Sequence, residues 1–66
     1  MTADERYAAR IHRVADYIDA NLANELSLDE LAGVASFSKY HFHRVFYLAR
    51  GETLFRYIRR LRLERA

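Results

Sequence analysis

Apolar residues recur every third or fourth position from one end of this chain to the other, and no stretch alternates with the period of two that a strand requires. That single regularity restricts the fold to packed helices. Tyr7, Ile11, Val14, Ala15, Ile18 and Leu22 form one stripe, and Leu54, Tyr57, Ile58 and Leu61 form another near the far end. Start signals divide the pattern into four helices. Thr2 and Glu5 have capping-box spacing, as do Ser27 and Glu30, while Ser38 and Thr53 are further cap candidates. Leu26 with Leu31, and Phe37 with Phe42, are placed to act as hydrophobic staples across two of these caps. Gly51 suits the left-handed end of a helix. The reading is an all-α, small four-helix bundle of homeodomain-like, helix-turn-helix type, with helices at about 4–22, 28–35, 38–50 and 53–66. Gly33 falls inside the second helix, at a cost of about 1 kcal/mol relative to Ala.

With 66 residues the chain holds one domain. It has no Cys, which excludes a disulfide scaffold and thiolate chemistry, and no apolar run approaches the ~20 residues of a membrane span. Nothing resembling a signal peptide opens it, so a cytoplasmic location is the default expectation. The formal charge of +2 conceals a strong asymmetry. Residues 1–35 carry three Arg against seven acids, whereas residues 36–66 carry seven Arg and Lys39 against Glu52 and Glu64. A basic half of this kind faces a negative partner or is simply a set of solvated helix faces. Its preference for Arg over Lys favours two-pronged recognition of phosphate or guanine.

The third helix has two distinct faces. At 100° per residue, Phe42, Val45, Phe46 and Ala49 share the side expected to be core. Tyr40, His43, Arg44 and Tyr47 share another, with Lys39 and Arg50 beside its ends. Arg donates two parallel hydrogen bonds to guanine O6 and N7, and His and Tyr donate to base acceptors or phosphates. The plainer reading of the same strip is that Tyr40 and Tyr47 cover the edge of a small core. Only Ala35, Ser36 and Phe37 separate the second and third helices, and Ala32 is small where two crossing helices approach. This is helix-turn-helix organisation, in which the second member occupies the major groove.

The stretch LSLDELAGVASFSKYHFHRVFYLARGETLFRYIRRLRLERA resembles the first helix-turn-helix subdomain of AraC/XylS-type transcription regulators. The resemblance is carried by LA before the turn, FS entering the third helix, HFHRVF within it, the GET that follows, and YIRRLRLERA; it covers roughly residues 8–66. One departure is Ser36, where the family usually has Gly. The resemblance implies sequence-specific binding of double-stranded DNA in transcription regulation, with helix 38–50 in the major groove. It implies base contacts from Tyr40, His43 and Arg44 and phosphate contacts from Ser38, Lys39, Tyr47 and Arg50. It also implies a second helix-turn-helix subdomain outside this chain, with residues 53–66 beginning the connecting helix, and an effector-binding domain of the kind some members carry. Leu63 and Ala66, on the Arg side of the fourth helix, agree with a partner surface that lies beyond residue 66.

Other chemistries fit poorly. His41 and His43 diverge by about 200° on a helix and cannot clasp one metal. Asp16, Asp19, Asp29 and Glu30 occupy outward positions, and Ser27 and Ser38 are caps with no base beside them. No enzyme, metal or cofactor is expected. Arg56, Arg59, Arg60 and Arg62 would suit an acidic membrane surface, but beyond Phe55 the helix lacks an anchoring aromatic face. The alternative from another class is a helical protein–protein interaction module without direct DNA contact.

Overall fold

The computed structural model describes residues 3–65, with side chains from Glu5 to Arg65. Four helices follow one another: α1 (Ala3–Ala20), α2 (Leu28–Val34), α3 (Lys39–Arg50) and α4 (Leu54–Glu64), with no strand among the described residues. The all-α expectation is met. Three helices begin by one device. Ser27, Ser38 and Thr53 are extended, and each side-chain oxygen accepts from the backbone N–H three residues on, at 3.1, 3.3 and 3.3 Å. Thr2 of the first candidate box lies outside the described residues. In the second, the Glu30 carboxylate accepts a hydrogen bond from the Tyr17 hydroxyl, tying α2 to α1 and holding the Tyr17 pKa above the ordinary tyrosine value.

The core is one cluster drawn from all four helices: Ile11, Val14 and Ile18, Leu31 and Ala32, Ala35, Phe42, Val45 and Phe46, and Leu54 and Ile58. Phe46 is its hub, edge-on to Phe42 at 6.0 Å and to Tyr57 at 5.3 Å. Leu26 and Phe37 pack against the same cluster that buries their staple partners Leu31 and Phe42. Three expectations need correction. Tyr7 is 36% exposed and stands at the rim, edge-on to Phe37 and His41. Leu22 is only half-buried, because α1 stops at Ala20 and Asn21 turns its side-chain amide back onto the Tyr17 carbonyl at 2.8 Å. Ala49 is exposed: the α1 residues across from it are Tyr7 and Ala8, and its single methyl leaves an open groove between the helices.

The turn between α2 and α3 closes by a Schellman pair. Phe37 N–H donates to the Ala32 carbonyl at 3.0 Å and Ser36 N–H to the Gly33 carbonyl at 3.1 Å. That geometry requires a left-handed residue, and Ser36 supplies it with φ 60°, the one non-glycine at positive φ among the described residues. Gly51 takes the equivalent role after α3, with φ 72° and its N–H on the Tyr47 carbonyl.

Arginines fasten α4. Arg60 forks onto Glu52 (2.9 and 3.4 Å) and reaches Glu64 at 3.1 Å. Arg62 donates to the Leu22 and Asn24 carbonyls at 3.1 and 2.9 Å, just past the negative end of α1, and Arg65 pairs with Asp19. Arg60 and Arg62 are therefore exposed cations already engaged by partners within the chain.

Two outcomes follow. Ser36→Gly relieves the left-handed strain, and Gly33→Ala, whose added methyl meets nothing within 4 Å, raises helix propensity. Each should stabilise the chain by about 1 kcal/mol, a rise of roughly 4–8 °C in Tm by thermal denaturation. The Arg60 guanidinium holds the Glu52 carboxyl below the ordinary glutamate value. Stability from this pair is complete above about pH 4.3 and is lost as pH falls through the lowered value. Glu52→Gln should accordingly lower Tm at neutral pH, and the gap to the unaltered chain should narrow on titration toward pH 3.

Candidate nucleic-acid interface

Burying Phe42, Val45 and Phe46 fixes the rotation of α3 and turns its opposite side to solvent. Tyr40 is 78% exposed and Tyr47 51%, and His43 and Arg44 are also exposed. These four line one shallow surface with Leu48 and Thr53. The plainer reading, in which the tyrosines cover the core edge, does not hold for Tyr40.

The remaining candidates sit around this strip. Ser38 caps the helix, accepting from His41 N–H while its own hydroxyl hydrogen stays available. Lys39 begins the helix and pairs with Asp29 at the start of α2, Nζ to Oδ1 3.2 Å. Arg50 is exposed at the last turn, its guanidinium 5.9 Å from the Tyr57 ring. Ser38, Lys39 and Arg50 thus bracket the Tyr40–His43–Arg44–Tyr47 strip at both ends of α3.

His41 belongs to a different environment. It is half-buried and edge-on to Tyr7 (5.6 Å) and Phe37 (5.0 Å), while Arg10 stacks over Phe37 at 5.0 Å. His41 and His43 point apart, and no group of three His, Asp or Glu side chains among the described residues could hold a metal ion. No helix among them is long and apolar enough to cross a membrane.

Two neighbours of the strip escaped the sequence reading. Leu48, 72% exposed, follows Arg44 by one turn and so extends the same side of the helix. That i, i+4 relation was available from the sequence. Asp29 is the other; its approach to Lys39 depends on how α2 and α3 cross, which spacing does not reveal.

Comparison with known proteins gives the strip a context. The chain is 35% identical over 60 residues to the uncharacterized HTH-type transcriptional regulator YbfP of Bacillus subtilis, covering 91% of this chain and 20% of that protein. It is 40% identical over 53 residues to the bifunctional transcriptional activator/DNA repair enzyme AdaA of the same organism, covering 80% and 25%. It is 38% identical over 52 residues to the multiple antibiotic resistance protein MarA of Escherichia coli, covering 79% and 41%. The chain therefore spans between a fifth and two fifths of the length of these curated relatives. The match to AdaA falls on its helix-turn-helix part. No family model and no solved structure matches the chain. The homologues of this chain are thus helix-turn-helix transcriptional regulators, among them AdaA and MarA of the AraC family, at modest identity over most of its length.

Proposed function

We propose that this chain is a DNA-binding module in transcription regulation, acting by binding and not by catalysis. In this reading α3 enters the major groove while α2 crosses the sugar–phosphate backbone. Arg44, His43 and Tyr40 read base edges, and Ser38, Lys39, Tyr47 and Arg50 set register on phosphates. The observation that carries the reading is the exposed strip of Tyr40, His43, Arg44 and Tyr47 on a helix whose other side is locked into the core. These side chains lie outside the buried core, and each can donate a hydrogen bond from a helix whose rotation is fixed.

The relatives are about two to five times longer than this chain, which supports a place beside further domains. We extend the proposal to a second helix-turn-helix subdomain and an effector-binding domain, working on DNA in the cytoplasm. One recognition helix buries a small interface, so the module alone binds weakly and discriminates modestly.

A second reading has one observation in its favour. Phe55 and Leu63 are 56% and 67% exposed on the outer side of α4, a surface that would suit a protein partner instead of DNA. Salt separates the two. Binding to duplex through Lys39 and Arg50 should weaken linearly on a log–log plot, by about 0.9 per phosphate neutralised, whereas an apolar protein contact shows little such dependence.

Arg44→Ala should cost about 1–3 kcal/mol on a duplex selected by the chain from a random pool and should relax preference at one base pair. Uniform weakening on all sequences would instead make Arg44 a phosphate ligand.

A further inference from the structure

The ion pair between Asp29 and Lys39 joins an acid directly to the proposed phosphate-binding set. Nζ lies 3.2 Å from Oδ1, and both side chains are largely exposed, 60% and 77%. An exposed pair of this kind contributes little to stability. Its position is more telling. Asp29 stands in the first turn of α2, the helix that crosses the DNA backbone in helix-turn-helix docking, and Lys39 in the first turn of α3, the helix that enters the groove.

We infer that Asp29 is an affinity-limiting residue of this interface: its carboxylate holds the Lys39 ammonium in the free protein and must give it up to a backbone phosphate on binding. The inference rests on the DNA-binding reading above. A carboxylate beside the incoming phosphate adds like-charge repulsion, and Lys39 must exchange one anion for another. Glu30, the neighbouring acid, is engaged by Tyr17 and does not compete for Lys39. Phosphates are the same in every sequence, so the penalty falls on all duplexes alike. Asp29 thereby lowers affinity without altering which base pairs Arg44, His43 and Tyr40 prefer.

The test uses the 66-residue chain and a mixed-sequence duplex of about 20 base pairs, followed by fluorescence anisotropy between roughly 50 and 200 mM salt. Asp29→Asn should bind about two- to fivefold tighter at the lowest salt, with the gain shrinking as salt screens it. Preference between a selected and a scrambled duplex should not change. In a Lys39→Ala background the same substitution should gain less. If Asp29 only braced α2 against α3, Asp29→Asn would lower Tm and bind no better than the unaltered chain, and the inference would be overturned. Asp29→Ser, which also suits a helix start, repeats the comparison should Asn impair folding. An unaltered chain that fails to bind duplex at low salt removes the DNA-binding reading together with this inference. An unaltered chain that binds, matched or exceeded by both Asp29 variants' dissociation constants, removes this inference alone.

Discussion

Everything functional in this chain depends on the way one side of α3 is anchored. Phe42 and Phe46 are fully buried and Val45 nearly so, gripped by Ile11, Val14 and Ile18 of α1, Leu31 and Ala32 of α2, and Leu54 and Ile58 of α4. A chain of this size has about 3–10 kcal/mol of stability in total, so removing one such phenylalanine, at about 3–5 kcal/mol, would consume much of it. The same packing that makes the domain fold also determines which residues of α3 face outward. Tyr40, His43, Arg44 and Tyr47 gain a defined direction without contributing to the core.

The electrostatic asymmetry proves to be partly internal. Arg60, Arg62 and Arg65 bind Glu52, Glu64, Asp19 and the carbonyls that follow α1, joining the basic end of the chain to its acidic half. That surface network links α4 to the end of α1, while Arg44 and Arg50 on α3, with Arg56 and Arg59 on α4, are exposed cations that take no part in those pairs. The positive surface is thereby narrower than composition implies.

Local chemistry was legible in the sequence where it acts over three or four residues. Ser27, Ser38 and Thr53 cap helices as their spacing requires, and Gly51 ends α3; that Ser36, at a position where the family usually has glycine, keeps the left-handed conformation is what the structure adds. The two sides of α3 were likewise readable from 100° steps. Contacts between distant segments were not. Periodicity gave Ala49 a core position, but it could not show that α1 offers only Tyr7 and Ala8 opposite it. Nor could it show that Glu30 meets Tyr17, that Arg62 crosses to the end of α1, or that Asp29 approaches Lys39. Each of these depends on helix crossing geometry, which a one-dimensional pattern does not encode.

The central claim is that α3 presents its exposed strip to duplex DNA. The most direct measurement is residue-by-residue amide chemical-shift perturbation on titration with a short duplex at low salt. The account predicts the largest changes along residues 38–50 and at the start of α2, centred on Tyr40, His43, Arg44 and Tyr47. Changes concentrated instead on the Phe55, Arg59 and Leu63 side of α4, with α3 unmoved, would contradict it.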